Sequence, residues 1–173
     1  MATTYTKIAS VTVGSGGASS IDFSSIPATY TDLKIVYSTR DTQAGASAGN
    51  LKITINGSTT GYTNKKIIAS GSSVGSSSSG TAFMDGGLGQ SATSAGNTAN
   101  TFYSADVYFP NYLSSNNKTS SVDSVDENNA TAAYSGITAN LWSNTAAITQ
   151  ITATAQLLFA QYSSATLYGI KNS

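Results

Sequence analysis

The sequence predicts an all-β fold, a two-sheet antiparallel β-sandwich in a single domain, and three observations lead to that prediction. Apolar residues alternate with polar ones at the period of a strand rather than at that of a helix. Short blocks rich in Ile, Val, Thr and Tyr are separated by clusters of Gly, Ser and Asn, which is the spacing of strands and turns. At 173 residues the chain has the length of one domain with its own core.

A series of short segments has the alternation or the composition of strands. In "DLKIVYSTR", Leu33, Ile35 and Tyr37 fall on one face of the strand and the intervening side chains on the other. We therefore expect one face of each sheet to be buried and the other to meet solvent or a neighbour. The predicted strands are residues 5–13, 20–23, 32–39, 50–56, 62–69, 81–84, 100–109, 119–125, 148–156 and 164–170.

Turn chemistry supports the strand assignments. Asn56 and Gly57 follow directly on the alternating run "NLKITIN", and this pair of residues favours a hairpin because both accept positive φ. Three Gly- and Ser-rich stretches, 41–50, 70–80 and 86–99, contain little apolar surface to bury. We predict that all three are exposed loops.

One segment, "DENNATAAYSGITANLWSNT", carries a weak helical pattern. Ala132, Ile137 and Leu141 could form an apolar stripe, but Gly136 and the β-branched Thr residues weaken a helix. The run "YSGITANLW" also reads as a strand, and we favour the strand. Its Trp142, the sole Trp of the chain, is expected to anchor a core or an interface.

The composition leaves few groups for catalysis or metal binding. The chain has neither Cys nor His, so the usual transition-metal ligands and the usual general base near neutral pH are missing. Charged residues make up only 9% of the chain, against about 25% in an average globular protein. Eight basic and eight acidic residues leave no net charge and no basic stripe. We expect no nucleic-acid partner, and we expect much of the weakly charged surface to face another protein.

Two groups of carboxylates have a chemical interpretation. Asp123, Asp126 and Glu127 offer hard oxygen ligands for Ca²⁺, but they lack the ligand spacing and the Gly of an EF-hand loop, which favours an ordinary polar turn. Asp106 and Asp123 could act as a glycosidase pair only if the fold sets the separation that this chemistry needs. We predict no catalytic residue, no metal site and no cofactor.

Tyrosine is the enriched aromatic residue, with ten copies against five Phe. A Tyr or Trp side chain has a large apolar body and a polar tip, which suits a partly wet protein interface or a surface on which sugars stack. Tyr62, Tyr112 and Trp142 are the candidate contact residues on a loop rim. The alternative is that these aromatics belong to the core or to the rim of the sheet.

The N-terminal stretch "MATTYTKIASVTVGSGG" lacks the charged and apolar regions of a secretory signal. No run of about 18 apolar residues occurs in the chain, so we expect no membrane-spanning helix. Synthesis in the cytoplasm, without membrane association, is the expectation.

Several long stretches resemble a group of tailed-phage virion structural proteins, including cyanophage-type sequences. The similarity spans nearly the whole chain and is carried by "SVTVGSGGASSIDFSSIPATYTDLKIVYSTR", "INGSTTGY", "VYFPNYLSSNNKTSSVDSVDENNATAAYSGITANLWSNTAAIT" and "YSSATLYGI". The resemblance implies an antiparallel jelly-roll-like β-sandwich, often a homotrimer, with no catalytic residues to transfer. It also implies a place in the virion.

Within the virion, the expected role is that of a head decoration or cement protein, which would bind the major capsid protein or other virion proteins and stabilise the shell. The alternative is a tail or fibre-associated adhesin module that binds host surface glycans. Aromatic side chains beside Asp or Asn on exposed loops would favour the adhesin.

Overall fold

Twelve β-strands make up the regular structure of the described residues. The structure, a computed structural model, describes residues 4–44, 51–87, 97–127 and 133–171, and these ranges contain no helix. The strands are β1 (Tyr5–Thr12), β2 (Ala18–Phe23), β3 (Asp32–Thr39), β4 (Lys52–Ile55), β5 (Tyr62–Ser70), β6 (Ser73–Thr81), β7 (Met84–Asp85), β8 (Tyr103–Phe109), β9 (Lys118–Asp126), β10 (Tyr134–Trp142), β11 (Ile151–Phe159) and β12 (Ser164–Ile170).

The strands form two antiparallel sheets of unequal size. The large sheet has eight strands in the order β1-β12-β3-β8-β9-β10-β5-β6, and the small sheet has four in the order β2-β11-β4-β7. A single cluster of buried apolar side chains draws on both sheets. The predicted all-β antiparallel sandwich is therefore confirmed, and so is the strand preferred over a helix at β10.

The inner face of the large sheet is apolar where it is formed by β12, β3 and β8. Leu33, Ile35 and Tyr37 of β3 are fully buried, as the alternation in the sequence predicts. They pack in one cluster with Ile53 of β4 and Ile151 of β11 from the small sheet. This contact between the two sheets is the main apolar core.

Under β9 and β10 the inner face is polar, and the segment around β7 packs against it. The side-chain amide of Asn140 accepts from the Asp85 N–H (2.9 Å) and donates to the Asp85 carbonyl (3.0 Å), as a neighbouring strand would. The Asp85 carboxylate pairs with Lys66 Nζ at 2.5 Å, and both side chains are largely buried. The Tyr103 hydroxyl donates to the Gly86 carbonyl at 3.0 Å. Paired polar groups thus take the place of apolar packing here.

The prediction of a loop at 70–80 is wrong, because most of this segment forms β6. This strand pairs with β5 over nine residue pairs, from Ser70↔Ser73 to Tyr62↔Thr81. Gly71, with φ +55°, lies in the tight turn between them. Backbone hydrogen bonds to β5 hold β6 in place, and they do not require apolar side chains.

The other two predicted loops are described only at their ends. Asp41 is buried and its carboxylate accepts from the backbone N–H groups of Gln43 (2.8 Å) and Gln156 (2.7 Å). Gly87 is buried within the fold, and the Arg40 guanidinium donates to the carbonyl of Thr98 at 2.9 Å. The remaining residues of the predicted loops 41–50 and 86–99, namely 45–50 and 88–96, lie outside the described residues. The strand predicted at 81–84 is also wrong: β6 ends there and β7 begins in the other sheet.

Candidate interaction surface

The outer face of the large sheet carries exposed apolar side chains where β9, β10, β5 and β6 run side by side. Ile137 of β10 lies directly opposite Ile67 of β5, and the two side chains are 64% and 60% exposed. Val74 of β6 is 75% exposed and lies opposite Ala69, while Val125 of β9 is 45% exposed. We call Ile67, Ala69, Val74, Val125 and Ile137 the apolar patch. Contiguous apolar side chains of this kind mark surfaces that bind a partner.

Buried side chains on β5 and β10 fix the orientation of these strands, and with it the set of side chains that face outward. Tyr62 and Asn64 of β5 are buried, so the alternation sends Ile67 to the opposite, outer face. Trp142 of β10 is also buried, and the same alternation places Ile137 at an outward position beside Ile67. The register of the core therefore determines the position of the patch.

A shallow depression runs along the patch. It has a volume of about 570 Å³ and is lined by Lys65, Lys66, Ile67, Ile137 and Ala139 together with serines of β6. The depression is open to solvent along the sheet, so its shape suits a protein surface better than an enclosed small ligand.

Carboxylates border the patch on the side of β8. Asp106 of β8 and Asp123 of β9 lie directly opposite each other, and Asp123 also lies opposite Ile137. Lys34 Nζ pairs with Asp106 at 2.7 Å, and this hydrogen bond is the main cause that raises the pKa of Lys34, with burial opposing it. Like charges placed opposite each other on a sheet are destabilising. Lys34 offsets part of this repulsion, and with Lys65 and Lys66 beside the depression the surroundings of the patch carry both signs of charge.

The carboxylates considered as a Ca²⁺ site do not converge. Asp123 is outward on β9, whereas Asp126 of the same strand is fully buried on the inner face. Within the described ranges, no group of three or more acidic or His side chains is placed to hold a metal ion. Asp106 and Asp123, the possible glycosidase pair, lie on the open outer face of the sheet rather than in a cleft.

The three aromatic candidates from the sequence are all in the core, so their placement on a loop rim is wrong. The rings of Tyr62 and Trp142 stack at 6.0 Å and 17°, and the Tyr62 hydroxyl accepts from the Ile55 N–H at 2.9 Å. Tyr112 is fully buried, and its hydroxyl donates to the Pro27 carbonyl. The expectation that Trp142 anchors the core or an interface is confirmed for the core. For Tyr62 the sequence carries no signal for this placement, because buried and surface tyrosines look alike in a strand.

The sequence did hold a signal for the apolar patch, in two places. Ile67 and Ile68 are consecutive, so a strand through them must have an apolar residue on each face. Val74 is an isolated apolar residue in a run of serine and glycine, which gives it no neighbour in sequence with which to form a core.

Comparison with known proteins gave no assignment: a scan against protein-family models, a search of curated proteins and a search of solved structures each found no match. Among the residues that the structure describes, no helix is long and apolar enough to cross a membrane. The functional conclusion therefore depends on the exposed surface and on the sequence resemblance.

Proposed function

We propose that this chain is a structural protein of a bacteriophage virion that docks through the apolar patch onto the outside of the head shell. The exposed cross-strand pair of Ile67 and Ile137, extended by Val74 and Val125, is the observation that supports docking. The resemblance to tailed-phage virion proteins supports the class of partner. In this role the protein stabilises the shell by bridging capsid subunits.

The size of the patch favours an assembly of many copies. Burying a whole Ile or Val side chain contributes about 1.5–3 kcal/mol. Since roughly half or more of each large side chain in the patch is still exposed, docking one patch contributes about 3–6 kcal/mol in all. Association costs about 4–15 kcal/mol in lost freedom of motion. One patch alone therefore binds weakly, and a lattice of sites or a multivalent protein is needed to retain it.

The alternative, a fibre module that stacks host sugars, is less well supported. Its three candidate residues, Tyr62, Tyr112 and Trp142, are buried and have no free ring face to offer. A decoration role needs only the exposed sheet face, which the fold provides.

The test is to localise the protein on particles and then to rebind it. Antibody raised against the purified chain is used to label virions of the phage that encodes it, viewed by electron microscopy. Label on the head is the expected result. Label confined to the tail, or no label, would contradict the proposal.

Rebinding tests the patch. Virions are stripped with a chaotrope and the recombinant chain is added back, with co-sedimentation as the measurement. Replacing both Ile67→Lys and Ile137→Lys should reduce rebinding at least tenfold without changing the circular dichroism spectrum, because both side chains face solvent. Leu157→Lys is the matched control, since Leu157 is 58% exposed and lies outside the patch. Equal loss in the control, or none in the double variant, would overturn the assignment of the docking face.

A further inference from the structure

Strand β6 is a long edge strand with one free side. It pairs with β5 over nine residue pairs, and no strand of the described ranges pairs with its other side. Its side chains from Ser73 to Gly80 are all exposed. The free edge presents a row of unpaired backbone N–H and C=O groups, which is a template for another strand.

The sequence of β6 contains none of the usual devices that prevent pairing. The segment "SVGSSSSGT" has no charged residue and no Pro. The opposite edge of the large sheet, β1, carries Lys7 and an irregularity in register between Lys7 and Ala9. Charged side chains and β-bulges prevent an edge strand from pairing with another strand. One edge of this sheet is therefore protected and the other is open.

We propose that β6 pairs with β6 of a second copy of this chain, antiparallel, about a two-fold axis at Ser77. The free edge is self-complementary: an antiparallel edge exchanges N–H and C=O groups with a copy of itself. In this register Ser76 faces Ser78 of the second copy, and Val74 faces Gly80. No like charges meet, and the one bulky side chain lies against a residue without a side chain. The pairing forms on the order of nine backbone hydrogen bonds.

A second copy fits this edge better than an unrelated strand does, because β6 has no charged side chain and therefore matches an equally uncharged strand. Any partner strand with a charged residue would lie against the uncharged side chains of β6, which offer no ion pair of their own. The other edge of this same chain would bring Lys7 and its irregular register, which interrupts a continuous ladder. Only β6 itself, among the strands at the edges of the large sheet, offers an uncharged and regular nine-residue match.

The pairing has a consequence for the apolar patch. A two-fold axis perpendicular to the sheet keeps the outer faces of both copies on the same side. Ile67 lies one strand in from the edge, so the two copies of Ile67 are separated by three strand spacings, about 14 Å, across the strands and by two residues, about 7 Å, along them. The dimer presents two patches side by side on one surface. The pairing itself does not depend on the proposed function.

The experiment is analytical ultracentrifugation of the full chain over a wide range of concentration. The wild type should sediment as a dimer. The double variant Ser76→Lys with Ser78→Lys should sediment as a monomer, with dimerisation weakened at least tenfold, because each introduced lysine faces another across the axis. Because Ser78 also lies opposite Lys65 of the same chain, circular dichroism together with hydrogen exchange of the β5 amides checks that β6 stays paired with β5 in the variants.

A charge-paired variant tests the register, and a matched variant tests the edge. Ser76→Lys combined with Ser78→Glu should restore the dimer, since each new lysine then faces a glutamate of the second copy. Ser10→Lys, on the β1 edge, should leave the dimer unchanged. The proposal would be overturned by a wild type that is monomeric or forms open-ended polymers. It would also be overturned by a trimer that persists in the Ser76→Lys, Ser78→Lys variant, or by a charge-paired variant that stays monomeric.

Discussion

At the β1 end of the large sheet, formed by β1, β12, β3 and β8, the strands direct most of their large apolar side chains inward, although Val36 of β3 and Tyr5 of β1 are exposed. At the β6 end, formed by β9, β10, β5 and β6, several of them face outward. Ile35 of β3 is fully buried, whereas Ile137 of β10 is 64% exposed. The inner face under β9 and β10 is instead filled by hydrogen-bonded groups such as Asn140 and Asp85.

The β1 end of the sheet therefore contributes to folding stability, and the apolar patch at the β6 end contributes to assembly. Side chains at the β1 end contribute to the stability of the isolated chain, because they are already removed from water. Those of the apolar patch contribute only when a partner covers them. Substitutions at the two ends should therefore affect different measurements, and matched pairs of variants can show this.

The largest expected effect concerns two glycines. A Cβ at Gly87, which has φ +143°, would lie 1.7 Å from the Tyr103 hydroxyl, whereas at Gly75 of β6 nothing lies within 4 Å. Gly87→Ala should lower the free energy of unfolding by about 2–6 kcal/mol, through backbone strain and overpacking. Gly75→Ala should change it by less than about 1 kcal/mol and in the stabilising direction. Urea unfolding of both variants is the measurement, and equal effects would contradict the packing of Gly87.

The next effect compares two isoleucines. Ile35→Ala should reduce the free energy of unfolding by about 2–5 kcal/mol, because it leaves a cavity in the core. Ile137→Ala, which removes the same atoms from an exposed position, should cost at most about 1 kcal/mol. Chemical unfolding of the isolated chain at low concentration makes the comparison. A loss at Ile137 as large as that at Ile35 would show that the β6 end is packed inward.

The sequence predicted most strands of the large sheet but missed β6, and the reason is physical. Regular alternation in β3, β8 and β12 reflects one buried face and one wet face, which a period of two reveals. Strand β6 has almost no apolar side chains, and its formation depends on backbone bonding to β5. No local pattern in "SVGSSSSGT" reports a partner strand elsewhere in the chain.

The contact residues were harder to predict than the strands. Tyr62 and Trp142 looked suited to a surface because their side chains are large and partly polar, but they stack on each other in the core. Ile67 and Ile137, which were not among the predicted contact residues, are exposed. Which face of a strand is inward depends on the topology of the sheet, and alternation alone does not supply that topology.

The smallest expected effect concerns the acidic border. Asp123→Asn removes one of two carboxylates that lie directly opposite each other. It should raise the free energy of unfolding by a few tenths of a kcal/mol, roughly 0.2–0.5, at low ionic strength and less at 1 M salt, where charges are screened. Thermal unfolding at two salt concentrations is the measurement. A loss of stability would show that Asp123 is engaged in a favourable contact within the chain.

Hydrogen–deuterium exchange of the full chain at low and high protein concentration tests most directly whether the β6 end is built to be covered. The backbone amides of β6 should gain protection as the concentration rises, because pairing with a second copy fills the free edge. The amides of β1 should exchange at the same rate at both concentrations. Exchange in β6 that does not depend on concentration, or protection gained at β1 instead, would contradict the account.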